Sequence, residues 1–207
     1  MVGLLGDGRH TSYVVAHYNA RGKEMQQVVF DVPYTEERNR GTTAIRLILA
    51  LPHLIIYGVW QRVAQLAAIV QWFICVFTGK RNKSIWDFTY SAEAYGSRVN
   101  SYAGLLHDVW PAFFNEQGAV PSRYSLEYDE SVNRLTVGLR IIWAIPALIL
   151  LVLIGIAAFI VAIVSWFTIL ITGKHPRGMF DFILKFQKYA VQVSAYFLLL
   201  TDTYPKY

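Results

Sequence analysis

The chain is poor in the residues from which disulfide-built proteins and metalloenzymes are made. It has one cysteine, Cys75, set inside an apolar run, so no internal disulfide can form and the thiol reads as a small packing residue. Charged residues make up only 16% of the 207 positions, and none falls between Ile141 and Ile171. His10, His17, His53, His107 and His175 are scattered, without metal-ligand spacing or a paired carboxylate. Neither a Gly-x-Ser-x-Gly elbow nor a Walker-type phosphate loop occurs. The expectation is a protein with no catalytic residues, no metal and no cofactor. Residues 1–22 lack an apolar signal core, which predicts an uncleaved N-terminus on the cytoplasmic side.

What is present is apolar mass. Hydrophobic residues are 55% and aromatic residues 15% of the chain, too much for an ordinary soluble domain. The mass is concentrated at 42–77 and 135–171, and both runs exceed the roughly 18 to 20 residues that mark a membrane segment. The net charge of +5 comes from basic residues flanking these runs, which points to anionic lipid headgroups as partners and away from nucleic acid.

The chain also contains itself twice. Residues 34–111 realign without a gap onto 128–205 at a shift of 94. Arg46, Pro52, Trp72 and Phe73 recur as Arg140, Pro146, Trp166 and Phe167, and Thr78-Gly79-Lys80 and Asp108 recur as Thr172-Gly173-Lys174 and Asp202. A period of this length is one whole structural unit duplicated. The organisation read from it is an N-terminal segment at 1–33, repeat 1 at 34–111, a linker with a short strand at 112–127, and repeat 2 at 128–207. Within 1–33, residues 12–18 and 26–32 alternate around a turn and predict a β-hairpin, and 123–128 alternates likewise.

Each apolar run is too long for one straight crossing, since 35 or so helical residues extend about 50 Å against a hydrocarbon core of about 30 Å. Either each run is a helical hairpin, or it is a helix bent at Pro52 or Pro146. A single crossing per repeat would invert repeat 2 and leave both membrane faces basic, against the positive-inside tendency. Hairpins are therefore the favoured reading. They also put Gln61, Arg62 and Gln65, which only repeat 1 carries, at a tip near headgroups or a partner subunit. Beyond each Thr-Gly-Lys a second helix is expected, near 84–107 and 178–201, opened by Ser84 with Asp87 and by Asp181. Its aromatic stripe and polar face suit the membrane interface. The fold class expected is thus a mainly α integral membrane protein of two tandem pseudo-symmetric repeats, each a long hydrophobic hairpin or Pro-kinked helix followed by an amphipathic interfacial helix, plus a small N-terminal β-hairpin.

The repeated pattern runs from Arg140 through a Pro-containing apolar stretch and Trp166-Phe167 to Thr172-Gly173-Lys174-His175-Pro176-Arg177-Gly178-Met179-Phe180-Asp181-Phe182, and ends at Tyr196 with Leu200-Thr201-Asp202-Thr203-Tyr204-Pro205. In these residues it resembles a bacterial membrane family with a domain of unknown function (DUF4389). In repeat 1 the loop Thr78-Gly79-Lys80-Arg81-Asn82-Lys83 lacks the Pro and Gly. The resemblance implies an architecture and a bacterial cytoplasmic membrane, and carries no reaction.

The candidate contacts follow from charge and position. The Thr-Gly-Lys turns read first as helix C-caps, and a capped end can still present Lys80, Arg81, Lys174, His175 and Arg177 to lipid phosphates. Arg46 and Arg140 are expected to snorkel to headgroups, with an ion pair to Asp87 or Asp181 as the alternative. Asp108 and Asp202 read as turn residues. The expected function is a non-catalytic accessory subunit of a membrane complex. The alternatives are a membrane-shaping or lipid-organising protein and, behind it, a small transporter or channel. The expected location is a bacterial inner membrane, multi-pass, with both termini cytoplasmic.

Overall fold

A computed structural model describes residues 28–111, 113 and 120–207. The chain is mostly helical. In order it forms β1 (Val29–Asp31), α1 (Arg40–Ala44), α2 (Arg46–Thr78), α3 (Lys83–Ala103), β2 (Arg123–Ser125), α4 (Arg134–Gly138), α5 (Arg140–Thr172) and α6 (Arg177–Phe197).

The duplication is visible at every level. α1 and α4 begin at Asn39 and Asn133, whose side chains accept from the exposed N–H groups of the first turn. Single residues, Ile45 and Leu139, separate them from the 33-residue α2 and α5. Pro52 and Pro146 stay inside these continuous helices. The expected hairpins are therefore not formed: nothing breaks the chain near Arg62 or Gly155, and each run is one helix about 50 Å long. Both end at a glycine in the left-handed conformation, Gly79 at φ 73° and Gly173 at φ 76°, as the C-cap reading expects.

α3 starts at Asn82, whose side chain accepts from Ile85 N–H, so Ser84 is one residue into the helix and is not its cap. Asp87 instead pairs with Lys83, and Asp181 with Arg177, along the exposed helix surface. α3 and α6 stop at Ala103 and Phe197, short of the expected ends, because Leu105 and Leu199 turn the chain at positive φ. Each runs back along the long helix before it. The contact is close because α2 and α5 turn small residues inward, among them Ala50, Ala64, Ala68, Ala144 and Ala158. At Gly96 the Tyr57 ring lies where a Cβ would be, 2.1 Å away, so only glycine fits.

The two repeats are interlocked by a pseudo-twofold axis. β1 pairs antiparallel with β2, and Phe30 lies opposite Tyr124, its own equivalent in the other copy. The axis therefore passes through the centre of this two-stranded sheet. The earlier strand of the expected hairpin lies outside the described residues; the pairing found is between repeats. Each entry segment grips the far end of the other copy's long helix. Arg38 N–H donates to Gly173 O and Val132 N–H to Gly79 O, at 2.9 and 3.1 Å. Trp166 Nε1 donates to Thr43 O and Trp72 Nε1 to Val137 O, at 2.8 and 2.9 Å. The start of α2 thus sits by the end of α5 and the reverse, so the long helices are antiparallel, with backbones more than 8 Å apart throughout. α3 and α6 cross on the axis, and the sheet packs over them through Phe30, Phe180, Ile183 and Val191 on one side and Leu126, Trp86 and Leu198 on the other.

Candidate membrane-contact site

The first layer of the site is a pair of buried latches. Arg46 and Arg140 open the long helices, yet their side chains are 1% and 3% exposed. Arg46 Nη1 donates to Tyr102 O and His107 O, and Nη2 to Asp108. Arg140 donates to the equivalent Tyr196 O, Thr201 O and Asp202. Each arginine therefore takes one carbonyl from the last turn of the following helix and one from the chain just past it, and pairs with the next aspartate while stacking on Tyr102 or Tyr196. Neither snorkels outward, and neither meets Asp87 or Asp181.

A second arginine stands at each latch, touching the aspartate in only one of them, and it comes from different places in the two copies. Arg81, 1% exposed, reaches Asp202 at 2.5 Å and Leu199 O at 2.8 Å. Its equivalent is His175, which lies enclosed beside Phe180. Around Asp108 the extra cation is Arg38, buried and donating to Leu106 O, and its equivalent is Val132. An arginine–valine pair at one latch thus stands where the other has histidine and arginine. Burial first, and the neighbouring arginines second, push His107 and His175 down to about 4, so both stay neutral.

The remaining predicted residues are dispersed. Lys80 and Lys174 are exposed and paired with Glu130 and Glu36 at 3.0 and 2.9 Å across the repeats. Arg177 is exposed over the Tyr34 ring. Gln61 faces inward, into a buried polar cluster at the crossing of α3 and α6. There Glu93, 3% exposed, accepts from Ser194 Oγ at 2.7 Å and is bonded by Gln61. Desolvation raises its carboxyl to about 7. Arg62 is exposed near the middle of α2, its Nη1 donating to Gln65 Oε1 at 3.1 Å. Among the described residues, no group of three or more His, Cys, Asp or Glu could hold a metal ion.

The outer layer is apolar. Leu47, Ile48, Ile55 and Leu66 on α2, and Ile141, Leu153, Phe159 and Ile171 on α5, are each more than 60% exposed. By length and composition these are two helices that could cross a membrane. Beside the twofold, between the long helices, lie two pseudo-equivalent grooves. The one between the α2 start and the second half of α5 holds about 720 Å³ and is lined by Arg46, Leu105, Phe159, Trp166 and Gln187, among others. Its mate, lined by Arg140, Leu199, Gln65, Trp72 and Phe197, holds about 280 Å³. Sequence reasoning missed the latches and grooves, although Arg46 with Asp108 and Arg140 with Asp202 were each visible as repeated residues.

Comparison with known proteins gives one result. No curated protein and no solved structure matches the chain. A family model described as a domain of unknown function (DUF4389) matches residues 40–115 and 134–207. With one match on each interlocked half, together covering most of the chain, the protein belongs to the DUF4389 family and carries its domain twice.

Proposed function

We propose that this protein is a non-catalytic membrane protein that lies in one leaflet of a bacterial cytoplasmic membrane and organises the lipid there, with its polar, sheet-bearing side and both termini toward the cytoplasm. The observation that carries this reading is the position of the sheet on the pseudo-twofold axis. If antiparallel α2 and α5 both crossed the bilayer as equivalents, the axis relating them would lie in the mid-plane. The β1–β2 pair, with Asp31, Arg123 and the Lys188–Asp31 ion pair, would then sit at the centre of the hydrocarbon. Open strand edges cost several kcal/mol per group there, and a charge about 2.5 to 3.5 kcal/mol. Setting the axis along the membrane normal removes both costs. It turns the long helices flat against the lipid and lets the basic flanks of both repeats face the same side, as the positive-inside tendency asks. This departs from a multi-pass arrangement.

Two 50 Å helices immersed in one leaflet widen it relative to the other, which favours curvature. Anionic headgroups are the expected partners of the basic rim. Added to anionic vesicles, the purified protein should narrow or tubulate them as its surface density rises; vesicles unchanged in shape at saturating density would overturn the lipid-organising role. A second reading, an accessory subunit of a membrane complex, is favoured by Arg62 with Gln65 on the otherwise apolar face of α2. In that case extraction in mild detergent should recover a stoichiometric partner that Arg62→Leu releases.

A further inference from the structure

The crossing of α3 and α6 is built twice from equivalent positions, and the two versions differ by one titratable group. Gln187 of α6 donates through Nε2 to Asn100 O of α3 at 2.7 Å. In the pseudo-equivalent contact Glu93 of α3 accepts from Ser194 Oγ of α6, also at 2.7 Å. Glu93 and Gln187 are equivalents in the duplication, as are Asn100 and Ser194. One half of the joint between the repeats is therefore an amide, neutral at every pH, and the other is a carboxyl group that can gain or lose a charge.

That carboxyl has no cation beside it. Glu93 is 3% exposed, and the side chains facing it are Tyr57 and Gln61 of α2, Tyr124 of β2 and Ser194 of α6, all uncharged. The cations of the same elements are engaged elsewhere or exposed: Arg98 lies over the Tyr95 ring, Lys188 pairs with Asp31, and Arg62 and Arg123 are exposed. Asp108 and Asp202, by contrast, are each partnered by a buried arginine. An ionised Glu93 is left with hydrogen bonds alone, and desolvation outweighs them, which places its carboxyl at about 7.

The closed crossing also suits the neutral form in its hydrogen bonds. Gln61, which bonds Glu93, leaves its Oε1 buried without a partner. A carboxylic acid has an O–H to give to that oxygen once the amide is turned over; a carboxylate only accepts. Nor is there slack around the group, because the Tyr57 ring fills the space a Cβ would need at Gly96, one helical turn beyond Glu93. Water reaches the carboxylate only where the helices separate.

We propose that the α3–α6 crossing is a proton-controlled joint: a neutral Glu93 locks the two repeats together, and loss of its proton to solvent parts the helices and hydrates the carboxylate. Because α3 packs along α2 and α6 along α5, the joint sets the angle between the two long helices. It operates however those helices lie in the bilayer, so it stands apart from the one-leaflet reading.

The test places nitroxide labels on Ser84→Cys and Gly178→Cys in a Cys75→Ala background, at exposed and equivalent positions one residue into α3 and α6. Each lies nine residues before Glu93 or Gln187, about 14 Å of helix, so a change in crossing angle is magnified there. Pulsed electron spin resonance on the full-length protein in detergent measures the distance between them from about pH 5.5 to about pH 9, a range that brackets the titration of a raised carboxyl. His107 and His175 stay neutral throughout. In the wild type the distance distribution should shift or broaden with a midpoint near 7. Glu93→Gln, which copies the residue at 187, should hold the low-pH distribution over the whole range. Ser194→Ala removes a hydrogen bond that favours the charged form and should move the midpoint to higher pH, which a merely structural role for Glu93 would not do. A wild-type distribution that is the same at both ends of the range overturns the joint. A shift that survives in Glu93→Gln, or a midpoint that Ser194→Ala leaves in place or lowers, overturns the assignment to Glu93.

Discussion

Removing the charge of Asp202 should cost far more than removing that of Asp181, although both aspartates recur in the duplication and both are partly exposed. Asp202 receives Arg81 and Arg140, whose side chains are 1% and 3% exposed. Asp202→Asn keeps the shape and one acceptor but leaves two buried guanidinium charges without their counter-ion. Breaking a buried pair costs about 3 to 5 kcal/mol. Water reaching the 31% exposed carboxylate puts the expected value near the lower bound, about 3 kcal/mol, a shift of roughly a hundredfold in the folding equilibrium. Asp181 meets only the exposed Arg177 at 3.6 Å along one helix, a contact worth at most about 0.5 kcal/mol. Unfolding in mixed micelles at increasing denaturing detergent, followed by tryptophan fluorescence, would measure both. The reasoning is refuted if Asp202→Asn unfolds within 0.5 kcal/mol of wild type, about the scatter expected of a surface change, or if Asp181→Asn matches it.

The latches make two further predictions. Arg81→His alone should destabilise the Asp202 latch, and adding Val132→Arg, which copies the Asp108 latch, should recover at least half of the loss; a strictly additive double variant in the same unfolding assay would show that the exchange is not compensatory. Stability should also depend on pH in a definite way. His107 and His175 drop from 6.5 to about 4 on folding, so their contribution is complete above 6.5 and is lost as pH falls through 4. Glu93 rises from 4.5 to about 7, so its contribution is complete below 4.5 and is lost as pH rises through 7. Between pH 4.5 and 6.5 His107 and His175 oppose Glu93, so these three groups make stability climb by about 1.4 kcal/mol per pH unit, and His53, which burial also lowers, steepens the climb below pH 6.5. Glu93→Gln should roughly double that slope; an unchanged slope would remove Glu93 from the account.

Much of the fold could be read from the repeat and its periods. The two apolar helices, the polar helix after each, the Thr-Gly-Lys caps and the short strand at 123–125 all follow from residues near one another in sequence. The hairpins did not form because neither run holds a turn signal, and the length argument applied only to a helix standing across the bilayer. A helix lying along a surface has no 30 Å limit, and neither Arg62 nor Gly155 contains a signal strong enough to reverse the chain. The interlocking could not be read either, since a repeat looks the same whether its entry segment packs on its own long helix or on its equivalent's. For the same reason Arg46 and Asp108, 62 residues apart, looked like a headgroup anchor and a turn. Only the fold shows that α3 returns along α2 and sets the carbonyl of Tyr102 over that arginine. The grooves depend on differences between copies, and Gly155 against Gln61 was visible only as a weakening of the symmetry.

The orientation of α5 in the bilayer is the most direct test. On a background with Cys75 replaced, spin labels at Ile142, Ile149, Ile156, Ile160 and Phe167, all exposed on one side of α5, would be measured for immersion depth by collisional relaxation in anionic bilayers. A helix lying in one leaflet predicts the same shallow depth at all five positions. A depth that peaks at Ile156 and falls to headgroup values at Ile142 and Phe167, on opposite sides of the membrane, would contradict it.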